Sequence, residues 1–98
     1  MIQYPLFYQY RVRPGKQNNQ SDVLVGAIAT MMVFAPSDDV GRMRCGRYLA
    51  HNYWEIEKFM KVLAINEHQV NNFDATMKMI YSQAELYGIG ASVDGWKR

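Results

Sequence analysis

The sequence predicts an α+β fold: a two-layer sandwich in which a four-stranded, mostly antiparallel or mixed sheet carries two helices on one face. Three observations predict it. Leu6 to Arg13 alternates, with Tyr8, Tyr10 and Val12 on one parity and Gln9, Arg11 and Arg13 on the other. Val23 to Ala35 is apolar on both parities. Val70, Phe73, Met77, Ile80, Ala84 and Tyr87 recur at steps of three and four. Period-two alternation of aromatic and β-branched residues marks a half-buried strand. An apolar run on both parities marks a strand buried on both faces. The three-and-four spacing marks an amphipathic helix.

Each element follows from local chemistry. Pro14-Gly15 closes the first strand as a turn, and the polar run to Asp22 reads as a flexible loop over 14–22. Val23 to Ala35 is the second strand, with Gly26 inside it and Pro36 after it; a buried helix running into a strand is the rival reading of this stretch. Ser37-Asp38-Asp39 starts a helix, a hydroxyl cap followed by acids at the positive end of the dipole. Val40, Met43, Leu49 and Ala50 are the expected inner face, and the helix ends near His51-Asn52. Tyr53 to Ile65 is the third strand. Asn66 and Gln69 form a capping box for the second helix, which Gly88 ends. Ile89 to Trp96 is a short last strand. The order ββαβαβ contains two consecutive strand-helix-strand units that share the third strand. Right-handed crossovers would place both helices on one side of the sheet. This outline is similar to that of ferredoxin-like small domains, although the order along the chain departs from βαββαβ.

Composition bounds the function. A chain of 98 residues is one domain, 1–98. Hydrophobic residues at 49% and charged residues at 20% exclude a disordered or collagen-like chain. A net charge of +2 is smaller than the excess usual in nucleic-acid binders. Cys45 is the only cysteine, so the chain has no internal disulfide and no cysteine zinc site. The first residues lack a basic segment followed by an apolar one, and the longest apolar stretch is too short for a membrane helix. A cytoplasmic protein with no membrane partner is the expectation.

Candidate chemical groups have structural explanations. Cys45 and His51 are six residues apart on a helix, which turns them away from each other. His51 and His68 lack an accompanying carboxylate motif. Asp38 and Asp39 are explained by the helix start. Glu55 and Glu57 share a strand face and read as solvated, relieved by Lys58 or Lys61. Gly88-Ile89-Gly90 follows a helix, whereas phosphate loops precede one. The seven methionines read as adaptable core filling. No catalytic residue, metal ligand or cofactor is assigned.

The expected anomaly is the sheet face opposite the helices. The second strand is apolar there too, and large exposed apolar patches mark interaction sites. The reading is a small, non-enzymatic protein-binding or regulatory domain. It is expected to pair with another protein or with itself as a homodimer through Ile28, Met32, Phe59 and Leu63. The alternative is a nucleic-acid-binding module using Arg11, Arg13, Lys16, Arg42, Arg44 and Arg47 with neighbouring tyrosines.

Overall fold

The computed structural model of the chain describes residues 2–97. Its elements are β1 (Tyr4–Pro14), β2 (Leu24–Ala35), α1 (Asp38–His51), β3 (Trp54–Ala64), α2 (Glu67–Asn71), α3 (Ala75–Tyr87) and β4 (Ile89–Lys97). The fold is α+β, with three helices and a four-stranded antiparallel sheet of order β3-β1-β2-β4. The stretch expected as Val23 to Ala35 is thus a strand over Leu24–Ala35, not a helix running into one, and Val23 belongs to the turn before it. The run after Pro14 is a series of turns, with Asn18 buried at its centre.

Most local signals act as the sequence indicates. The Ser37 side chain accepts from the Val40 N–H to start α1, and the Asn66–Gln69 capping box is complete at the start of α2. Gly88 ends α3 in the left-handed conformation, with φ 85°. The second helix, however, is two helices. The Asp74 carboxylate accepts from the Met77 N–H and caps α3. The apolar spacing Val70, Phe73, Met77 runs across this break and hides it.

The two helical layers lie on opposite faces of the sheet, which corrects the one-face arrangement. Tyr8, Tyr10, Val12, Met31 and Val33 form one core with Cys45 and Leu49 of α1. Phe7 and Met32, their immediate chain neighbours, form a second core with Ile80 and Ala84 of α3. Successive residues of a strand face opposite ways, so α1 and α3 sandwich the sheet. The handedness rule failed for a definite reason. β1 is antiparallel to both β2 and β3, so β2 and β3 are parallel and the rule covers α1. β4 is antiparallel to β2 and hence to β3, so the connection through α2 and α3 joins antiparallel strands at opposite edges. The rule says nothing about such a connection. The apolar residues of β2 are covered by α1 on one side and, at the Met32–Phe34 end, by α3 on the other.

β3 carries two irregularities that the alternation could not show. Lys61 pairs with Gln9 but Phe59 with Tyr10, and Lys58 pairs with Arg11 but Ile56 with Val12. Met60 and Glu57 are therefore extra residues, each of which reverses the parity. Trp54, Ile56, Phe59 and Val62 all fall on the α1 side as a result.

Close approach sets the inner face of α1. Its buried residues are Gly41, Cys45 and Leu49, while Met43 is exposed. The seam is small side chains because Tyr8 fills it. A Cβ on Gly41 would lie 2.2 Å from the Tyr8 hydroxyl oxygen, whereas one on Gly46 would meet nothing within 4 Å. The same reasoning applies to Gly90 of β4, whose added Cβ would lie 2.2 Å from the Ile80 carbonyl oxygen of α3.

The two glycines of α1 therefore respond oppositely to alanine. Gly41→Ala is expected to destabilise by about 1–3 kcal/mol through overpacking. Gly46→Ala is expected to stabilise by up to about 1 kcal/mol through helix propensity. Urea unfolding of both variants checks the pair of signs.

Candidate interaction surfaces

The four residues expected at an apolar interface do not share a surface. Met32 is 1% exposed beneath α3. Phe59 lies on the α1 side, edge-on to Tyr10 with ring centres 5.6 Å apart, under the Arg42 guanidinium 3.9 Å above it. Leu63 is half exposed beside Phe7, and Ile28 is half-buried opposite Arg11. Only Ile28 and Leu63 remain accessible on one face, four residues out of register along β1. The apolar open face is replaced by a mixed one. α3 covers one end of its side of the sheet, over Phe7, Met32 and Gly90. The other end presents Gln9, Arg11, Arg13, Thr30, Lys58, Lys61, Asp94 and Trp96.

The six cations are likewise divided. Arg11 and Arg13 lie on that mixed half-face, Lys16 lies in the turn after β1, and Arg42, Arg44 and Arg47 lie on α1 across the sheet. Arg11 stacks over Trp96 at 5.0 Å and comes 3.8 Å from Glu57; Arg13 pairs with Glu55 at 2.8 Å. The two glutamates thus answer arginines of β1 and not the lysines of their own strand. Arg42 pairs with Asp38 at 3.0 Å. Arg44 donates to the Phe34 carbonyl and to Gln3 Oε1. Arg47 is exposed.

Beneath α1 lies a buried polar cluster. The fully buried Tyr8 donates its hydroxyl proton to Asp38 Oδ1 at 2.9 Å. Burial pushes the Tyr8 hydroxyl far above its ordinary range, with Asp38 adding to the effect. Burial likewise raises Tyr10 to about 12 and the Cys45 thiol to about 12. These groups stay protonated at neutral pH. The Arg42 guanidinium, and then the Tyr8 hydroxyl, hold the Asp38 carboxyl below its usual value. His51 is exposed at the end of α1, away from the buried Cys45. Among the described residues, no three His, Cys, Asp or Glu side chains are grouped as a metal site.

Two features escaped sequence reasoning. The first is the contrast between the sheet edges. β3 carries two bulges and the charges Glu55, Glu57, Lys58 and Lys61. β4 has an uninterrupted register with β2 from Ile89 to Trp96. The second is Tyr53, which has φ 62°. A bulky residue in this region costs on the order of 1–2 kcal/mol. The turn signal was legible in Asn52, yet the tyrosine after it sits where glycine usually does.

Comparison of the chain with protein-family models, with curated proteins and with solved structures finds no match. Among the described residues, no helix is long and apolar enough to cross a membrane.

The Asp38 cluster makes a pH prediction. Because its folded pKa is lowered, Asp38 contributes stability above its unfolded value, and that contribution is lost as pH falls through the folded pKa. Asp38→Asn is expected to flatten the acid side of the Tm-against-pH curve, below about pH 4. Thermal unfolding from pH 2 to pH 7 measures it, and parallel wild-type and variant curves would remove Asp38 as the cause.

Proposed function

We propose that the chain is a small protein-binding domain that pairs through the open edge of β4, with a second copy of itself as the partner. The observation that carries this reading is the unequal guarding of the two sheet edges. Exposed edges invite pairing with other chains, and proteins blunt them with bulges and charge. β3 is blunted both ways. β4 has no bulge of its own and only two charges, Asp94 and Lys97, and it has apolar surface beside it.

The ladder defines what β4 offers. Phe34 donates its N–H to the Gly88 carbonyl at 3.0 Å, so the even-numbered residues of β4 bond to β2. By antiparallel alternation, the N–H and C=O groups of Ile89, Ala91, Val93 and Gly95 point off the edge. The Ala91 N–H reaches Gln83 Oε1 of α3 at 3.4 Å, a long bond that a pairing strand can displace. Met79, Leu86 and Tyr87 of α3 are 50%, 75% and 77% exposed. Below the edge, Ile89, Ala91 and Val93 are only partly buried.

A two-fold axis through Ser92 sets Ile89 opposite Gly95 and Ala91 opposite Val93. Trp96, itself 38% exposed, then comes alongside Gly88 at the end of the partner's α3. Two-fold pairing of identical edges is a common route to a closed dimer. Nucleic acid has less to hold. The cations are divided between two faces, and both sheet arginines answer a glutamate.

Light scattering after size exclusion is expected to give the mass of two 11.4-kDa chains. Ala91→Pro removes one off-edge N–H without breaking the β2 ladder, and it should yield a folded monomer. Leu86→Lys should weaken the dimer, while Gln83→Ala, which frees the Ala91 N–H, should tighten it. A monomer at high micromolar concentration, or a dimer that resists Ala91→Pro, would overturn the reading.

A further inference from the structure

The turn from α1 into β3 holds an aromatic residue in a conformation that its side chain disfavours. Tyr53 has φ 62°, and no other non-glycine residue among those described has a positive φ. Its N–H donates to the Ala50 carbonyl at 3.0 Å, closing the helix as glycine ordinarily would. Strained residues persist where their surroundings over-determine them. Here the Tyr53 carbonyl accepts from the Gly15 N–H at 2.8 Å and from Asn18 Nδ2 at 3.3 Å. Asn18 is a buried amide; it also donates to the Asn52 carbonyl and accepts from the Gln20 N–H. The turn is held from beneath on every side. Tyr53 itself is 51% exposed.

Tyr53 lines two neighbouring clefts. One, of about 590 Å³, is lined by Lys16 and Ala50; the other, of about 400 Å³, by Asn19 and His51; both share Gln17, Tyr53 and Trp54. We propose that Tyr53 is the aromatic ridge of a binding site for a proline-rich peptide in the polyproline II conformation, with an acidic residue of the peptide at Lys16. Such a helix has three residues per turn and leaves its carbonyls without internal hydrogen bonds. It docks on aromatic-lined grooves. Two shallow clefts that share Tyr53 suit successive proline rings. Gln17 and Asn19 are exposed amides at the rim, able to donate to the free carbonyls. Glu55 lines the larger cleft too, but its carboxylate pairs with Arg13 at 2.8 Å, which leaves the charge of Lys16 to meet an acid. Among the described ion pairs Lys16 has no partner. A single lysine is a poor track for a run of phosphates, so a peptide is favoured over nucleic acid. The site begins β3, at the sheet edge opposite β4, and does not depend on pairing there.

The test uses the full chain and three labelled probes of equal length read by fluorescence anisotropy: an oligoproline ending in glutamate, a glycine-serine peptide ending in glutamate, and oligothymidylate. The oligoproline is expected to bind, with the other two at least about tenfold weaker. Tyr53→Gly should lose at least about tenfold in that affinity while its Tm rises by roughly 4–8 °C, as relief of the strained φ implies. Three results would overturn the proposal: no preference for oligoproline over glycine-serine, tighter binding of oligothymidylate, or Tyr53→Gly keeping its affinity. A fall in the Tm of Tyr53→Gly would also overturn it, since the ring would then serve the fold. None of these outcomes depends on the oligomeric state.

Discussion

The structure depends on the central pair of strands, β1 and β2, being buried from both sides. Phe7 and Tyr8 are adjacent in the chain yet belong to different cores, as do Met31 and Met32. Each of these four side chains is almost wholly buried. Fully burying a large apolar side chain stabilises by about 1.5–3 kcal/mol. A sheet with so many residues committed on both faces needs a helix on each, and 98 residues supply just that. Where space is short, glycine lets the layers approach: Gly41 under the Tyr8 hydroxyl, and Gly90 under the Ile80 carbonyl. The Tyr8 phenol makes one of these contacts specific. A buried hydroxyl without a partner is costly, so its bond to Asp38 fixes the first turn of α1 over the sheet.

What was legible in the sequence follows from the range of the signals. Strand alternation in β1, the apolar run of β2, the Ser37 cap and the Asn66–Gln69 box all act over a few residues, and each appears in the structure. The order of the strands was legible for the same reason, while the single helix expected after β3 is two, α2 and α3. The layer assignment was not, because it depends on which strands are parallel. The apolar residues on both parities of β2 were the available clue. They were assigned to an open, partner-seeking face when α3 covers one end of that side. β3 misled through its bulges. Met60 and Glu57 each add a residue, so that Phe59 moves to the side of Trp54 and Val62, away from Leu63. The candidate interface built from Phe59, Leu63, Ile28 and Met32 separated for these two reasons. The arginines separated because closeness in sequence within α1 and within β1 says nothing about which side of the sheet each occupies.

The electrostatics support a structural role for most of the charge. Arg11, Arg13 and Arg42 each have a carboxylate within ion-pair distance, and two of the three also lie over an aromatic ring. Exposed pairs of this kind contribute little stability, at most about 1 kcal/mol each. Their main effect is on the surface potential. The pairs of Arg11 and Arg13 neutralise the half of the sheet that α3 leaves open, so that this face looks mixed to a partner and not basic. The aromatic rings under the arginines serve a second purpose, since a stacked guanidinium covers apolar surface that would otherwise meet water.

Two places remain where the fold spends conformational or hydrogen-bonding capacity without an internal return. At β4, off-edge backbone groups have one long side-chain contact, from Gln83, and apolar side chains of α3 stand exposed beside them. At Tyr53, a strained backbone carries a half-exposed aromatic residue. The comparison within the molecule is what gives these places weight. The opposite edge, β3, is bulged and charged, and the other helix C-terminus that ends in a left-handed residue, at Gly88, uses glycine. The same chain therefore solves each problem in the ordinary way once and leaves it unsolved once. A fold governed by stability alone has no reason to treat equivalent positions differently, whereas a surface that must meet another molecule does.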